Sequence, residues 1–232
     1  MRQFTGYELY AIAHNLSRAL DWLSDMEHAL EHAHHAELDA TLDFVNTLEY
    51  CSTRTHTEYG GAHEALRTPD DVASWLAARH LLHGDRLPAA GDWRGLARAR
   101  EVRAAFRELV DAAAEQRPPT VDAIEVVNGL LASRQVPALE ATDDGVRLSH
   151  RHLAPPLDEA LAGLAEPLVE RLASDAVDRF RVCANDQCRW AFFDESRAGR
   201  RRWCDMTSCG NRAKAARHRA KAKAEETERP LG

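Results

Sequence analysis

Four cysteines near the C-terminus constrain this chain more tightly than any other feature. They form two matched pairs, Cys183-x4-Cys188 and Cys204-x4-Cys209, with fifteen residues between the pairs. Two tight backbone turns, each presenting two thiolates, can grip a single ion. A tetrahedral site filled by four sulfurs leaves no open position, so the spacing predicts one structural zinc and no metal-based catalysis. The fifth cysteine, Cys51, stands alone, with no base beside it to activate the thiol. Five cysteines placed this way exclude a disulfide scaffold.

Arg181-Val182 before the first pair and Trp190-Ala191-Phe192-Phe193 after it read as the strands of a hairpin, and Arg201-Arg202-Trp203 leads into the second pair. The run from Gly210 to Lys223 is almost wholly Ala, Arg and Lys, a composition that favours helix. A unit this small buries too little apolar surface to fold unaided, so zinc is expected to supply most of its folding free energy. Trp190, Phe192, Phe193 and Trp203 are then better read as its core than as a stacking platform for bases.

Charge divides the chain. Residues 179–223 hold 13 Lys and Arg against 4 Asp and Glu, while the rest holds 17 against 33, and the overall net charge is -7. A zinc centre with four thiolates carries a charge of -2, and offsetting it accounts for two or three of the ten arginines in this segment. The surplus predicts a phosphate-binding surface, since such patches bind nucleic acid through counterion release.

Upstream of the cysteines the pattern is helical. Leu9, Ile12, Leu16, Leu20, Leu23 and Leu30 recur at helical spacing across residues 6–38, and a second stretch from about Leu38 carries Leu42, Phe44, Val45 and Leu48. Gly60-Gly61 marks a turn. Thr68-Pro69-Asp70-Asp71 reads as a capped helix start, with the helix running to about Leu82 and stopping at Gly84. Further helices are predicted over 92–115, 120–131 and 157–172, with a hairpin across Asp143-Asp144-Gly145 between the last two. The expected fold is mainly α. It consists of a helical N-terminal domain with one small β-hairpin and a C-terminal treble-clef-like four-cysteine zinc finger built from a β-hairpin and a helix.

At the motifs Cys183-Ala-Asn-Asp-Gln-Cys188, Phe192-Phe193-Asp194 and Cys209-Gly210-Asn211-Arg212 the sequence resembles the CGNR zinc finger. Leu42-Asp43-Phe44-Val45-Asn46-Thr47-Leu48 resembles the opening of the ABATE domain, which precedes that finger in proteins described as stress-induced transcription regulators. The resemblance implies a bacterial DNA-binding regulator in which Cys183, Cys188, Cys204 and Cys209 are the metal ligands. Gly210 would permit the turn after the last ligand, and Asn211 would cap the helix or hold the knuckle. Arg212, Lys214, Arg217, Arg219, Lys221 and Lys223 become candidate nucleic-acid contacts, together with Arg200, Arg201 and Arg202. Their spacing spreads over more than one helical face, which suits phosphate contact.

The domain organisation expected is a helical extension over 1–37, an ABATE-like domain over 38–178, the finger over 179–224 and a disordered tail over 225–232. The partners expected are double-stranded DNA, a small-molecule effector in the N-terminal domain and a second copy of the chain. The chain lacks an apolar run long enough to span a membrane, and Met1-Arg2-Gln3-Phe4-Thr5 does not open a signal peptide, so a cytoplasmic location is expected. Two rivals compete with the regulator. One is an adaptor that uses the same finger to bind RNA or an acidic protein surface. The other is a metallohydrolase built on His28-Ala29-Leu30-Glu31-His32, a pattern that also occurs by chance on a solvated helix and lacks a third ligand. Asp43 and Asn46, polar within an apolar stretch, either line a pocket or satisfy backbone groups, and the second reading is the expected one.

Overall fold

The computed structural model describes residues 37–49, 63–82, 91–134 and 136–227. Readings that fall on residues 1–36, including the His28-x-x-Glu31-His32 motif, and on Cys51, Gly60-Gly61 and Gly84 lie outside them. The chain divides into two compact units, Met1–Asp39 and Ala40–Gly232. Everything below from residue 40 onward belongs to the second.

Helix α1 covers residues 37–45 and buries Leu42, Phe44 and Val45. A short antiparallel ladder follows, in which β1 (Leu48–Glu49) pairs with β2 (His63–Glu64), Leu48 opposite Glu64. This pair is additional to the single body hairpin expected. Helix α2 (Pro69–Ala77) starts as its sequence dictates: the Thr68 hydroxyl accepts the Asp71 N–H at 3.2 Å, and the Asp71 carboxylate accepts the Thr68 N–H at 2.8 Å. It ends earlier than the periodicity suggests. His80 turns left-handed at φ 55° and Leu81 N–H returns to the Leu76 carbonyl, a stop no glycine announces.

Helix α3 (Trp93–Glu115) is the spine of the body, packing against α2, α4 (Val121–Leu131) and α5 (Pro156–Leu172). Its inward face, Leu96, Val102, Phe106, Leu109 and Val110, is the apolar stripe read from the sequence. Phe106 meets Phe44 edge-on, with 6.0 Å between ring centroids. The Thr41 hydroxyl donates to the Leu164 carbonyl at 2.8 Å, tying α1 to α5. A buried arginine anchors this assembly. Arg103 of α3 clasps Glu64 through both terminal nitrogens at 2.6 Å and also donates to the Thr47 hydroxyl at 3.1 Å, fixing the β1–β2 ladder on the helix.

Between α4 and α5, β3 (Val136–Thr142) and β4 (Gly145–Arg151) form the hairpin expected around Asp143-Asp144. Its pleat places Leu139, Val146 and Leu148 on one face, where they are 73%, 74% and 66% exposed. After α5 and a short 3-10 turn (Val177–Arg179), β5 (Phe180–Val182) and β6 (Ala191–Phe193) pair antiparallel, and β5 packs against α3. A wide π-type turn (Met206–Gly210) leads directly into α6 (Asn211–Thr227).

Candidate metal centre and basic helix

The hairpin β5–β6 and the π-type turn bring the two cysteine pairs together. The Sγ atoms of Cys183, Cys188, Cys204 and Cys209 all lie within 4.8 Å of one another, with Cys188 to Cys204 at 3.7 Å and Cys204 to Cys209 at 3.9 Å. An ion about 2.3 Å from four tetrahedral sulfurs holds them about 3.8 Å apart, so the cluster has the size and donor set of a structural zinc site.

The backbone explains how the thiols converge. Cys183 N–H donates to the Trp190 carbonyl at 2.9 Å, closing the knuckle at the end of the hairpin. Within it, Asn185 Oδ1 accepts the Gln187 N–H at 3.2 Å, and Arg189 takes up the left-handed φ of 49° that turns the chain back. Asn185 Nδ2 also points at Cys209 Sγ, 3.6 Å away, so one side chain shapes the first turn and donates to the last sulfur. The Asp205 carboxylate accepts the N–H groups of Thr207 and Ser208, seeding the turn that carries Cys209. Gly210 lies against Met206, whose Sδ would sit 2.8 Å from an added Cβ, and Asn211 Nδ2 donates to the Thr207 carbonyl at 3.0 Å.

Four thiols this close cannot all ionise without a cation among them. Hydrogen bonds from the thiols of Cys188 and Cys204 pull Cys183 down to about 2, and that thiolate in turn pushes Cys188 up to about 12 and Cys204 higher still. A divalent ion resolves the conflict. Trp190 and Trp203 pack against the sulfurs, and Phe180 and Phe193, both buried, meet edge-on at 5.2 Å, so the aromatics are the core of the finger.

This core continues into the body. Asn46, at the end of α1, donates from Nδ2 to the Ala191 carbonyl at 2.8 Å and accepts the Ala191 N–H on Oδ1 at 2.9 Å. Arg189 reaches Asp111 of α3 at 3.8 Å, and Arg171 of α5 lies over the Phe193 ring. Asp43, the other polar residue of that stretch, pairs with Arg79 at 3.2 Å, and Arg79 stacks on Trp75. Asn46 thus satisfies backbone groups, as the simpler reading expects, whereas Asp43 pairs with a side chain.

The arginines of the segment serve two purposes. Arg179 donates to the carbonyls of Asp194 and Ser196, Arg181 to those of Asp178, Phe180 and Gly199, and Arg201 to that of Cys204. The buried carboxylate of Asp194 accepts N–H groups from Ser196 and Arg201, and these bonds outweigh its burial and hold its pKa below the usual carboxylate range. Together these bonds fold the loop 194–204 that delivers the second cysteine pair. With Arg189 on Asp111, more arginines serve the protein itself than charge compensation of the thiolates requires.

Arg200, Arg202, Lys214, Arg217 and Arg219 are exposed, with the Arg202 guanidinium near the Trp203 ring, and Arg212 is half-buried. Lys221 and Lys223 lie within α6. Positions 214–220 of that helix are all exposed, so for two turns it has no buried face, unlike α2 to α5.

Residues 38–180 match the ABATE family, described as "putative stress-induced transcription regulator", and residues 179–222 match the CGNR zinc finger. The two matches follow one another in the order the motifs indicate, and the first alone covers more than half of the chain. No curated protein matches the chain. Among the described residues no helix is long and apolar enough to cross a membrane.

Proposed function

The chain belongs to the ABATE family and carries a CGNR zinc finger, and from that premise we propose that it is a transcription regulator that holds double-stranded DNA through α6. In this reading Cys183, Cys188, Cys204 and Cys209 ligate one structural zinc, which sets the base of the helix. The helical body is the regulatory part, the place for an effector or for pairing with a second copy.

One observation carries the reading. A helix whose positions 214–220 are all exposed, Lys214, Arg217 and Arg219 among them, starts two residues after the last cysteine of the cluster. Exposed cations grouped on one helix attract a polyanion, which supplies the compensating charge. The test is fluorescence anisotropy of the zinc-loaded chain with a labelled DNA duplex of mixed sequence, titrated between about 50 and 200 mM salt. Binding that weakens by several powers of ten per decade of salt is expected. If the duplex is not bound at the lowest salt, the proposal fails, and the adaptor reading takes its place.

A further inference from the structure

We infer that α6 lies within the major groove of B-form DNA, with one cationic stripe against each phosphate wall. This rests on the DNA reading above and adds how the helix is seated.

The argument starts from helical register. At about 100° per residue, positions 214, 217 and 221 fall on one line along α6, and positions 212, 219 and 223 fall on a second line roughly opposite. On one side the surface between them is alanine, Ala213, Ala216 and Ala220, and on the other Ala215 lies beside His218. A helix laid on the outside of a duplex has phosphates on one side only and would leave one stripe facing solvent. A helix within the groove has a phosphate backbone on both sides, which is where the two stripes are.

The dimensions agree. The B-form major groove is about 12 Å wide, and a helix with ordinary side chains is about 10–12 Å across. With the alanine surface toward the floor and His218 toward the mouth, α6 approaches the bases closely, and methyl groups suit contact with base edges and thymine methyls. Exposure all round positions 214–220 leaves two full turns clear of the rest of the fold, so insertion meets no obstruction from the finger. Duplex RNA offers no equivalent seat, because its major groove is deep and too narrow for side chains to read.

The experiment uses the full zinc-loaded chain, a mixed-sequence DNA duplex and the RNA duplex of the same sequence. Lys214→Gln with Arg217→Gln removes charge from the first stripe and Arg219→Gln from the second. All three residues are exposed, and zinc content confirms that each variant is folded. The expected result is that the log-log salt slope falls by about two for the first variant and about one for the second. At saturation the wild-type chain is expected to protect guanine N7 from methylation and to leave adenine N3 open. The RNA duplex should bind at least about tenfold more weakly.

An unchanged slope for Arg219→Gln beside a reduced slope for the double variant would place the helix flat on one backbone and overturn the inference while leaving DNA binding intact. Protection of N3 instead of N7, or RNA binding equal to DNA binding, would overturn it too. No binding of the wild-type chain to DNA removes the underlying function as well.

Discussion

Asn46 pairs with Ala191 as a neighbouring strand would, its amide supplying one donor at 2.8 Å and one acceptor at 2.9 Å to the edge of β6, across 145 residues of sequence. Asn46→Leu keeps the branched shape and removes both bonds, leaving two buried backbone groups unpaired. A loss of about 2–4 kcal/mol is expected. Thermal unfolding measures it, at about 2–4 °C per kcal/mol for a chain of this size. An unchanged Tm would mean that the finger is not anchored through this residue.

Zinc should be present at one ion per chain, and Cys204→Ser should abolish stoichiometric loading by metal analysis. Because zinc takes thiolates, loading releases protons, so apparent zinc affinity should fall as pH is lowered from about 8 to about 6. Competition with a chromophoric chelator reads this directly. Retention of a full equivalent of zinc by the serine variant would contradict the ligand set.

Arg103 and Glu64 test the body. Burial alone would raise the pKa of Glu64, but the Arg103 hydrogen bonds, the Leu66 N–H and the charges of Arg103 and Arg100 outweigh it, and the net shift is downward. A carboxylate lowered in the folded state contributes stability that is present above the unfolded carboxylate range, about pH 4.5, and lost as pH falls through the folded value. Urea unfolding between about pH 7 and pH 3 should therefore show a shallower acid loss for Glu64→Gln than for wild type. Arg103→Ala, which leaves Glu64 to Arg100 and the Leu66 N–H, should cost about 1–3 kcal/mol at neutral pH. Equal acid limbs for the two proteins would remove Glu64 from the account.

The β3–β4 hairpin makes the opposite prediction. Leu139 and Leu148 face each other across the ladder, yet both stand in solvent. Leu139→Ser should change stability by no more than about 0.5 kcal/mol, within the range of surface substitutions. A larger loss by urea unfolding would mean that this face is covered in solution.

Local signals are legible along the chain. The Thr68-Pro69-Asp71 cap, the Asp143-Asp144-Gly145 turn and the cysteine spacing each involve residues a few positions apart, and each is found where its chemistry places it. Long-range polar pairs are not legible. Nothing at Asn46 identifies Ala191 as its partner, and Arg103 reads as one more arginine on a helix until β2 delivers Glu64. The basic segment shows the same limit. Counting charge treats Arg179, Arg181 and Arg201 like Lys214 or Arg219, whereas the first three bind backbone carbonyls that only the folded loop creates. Asp194 and Asn185 are missed for the same reason, although their places within the cysteine-bearing segment mark them as candidates.

The direct run of the π-type turn into α6 has a mechanical consequence. With 17 residues at about 1.5 Å each, α6 is a lever about 25 Å long whose fulcrum is Cys209. A tilt of about 10° at that fulcrum carries the far end through about 4 Å, roughly a third of the width of the groove it would occupy. The sulfur cluster therefore sets the aim of the helix as well as the fold of the finger, and a disturbance too small to unfold the protein would be enough to spoil that aim.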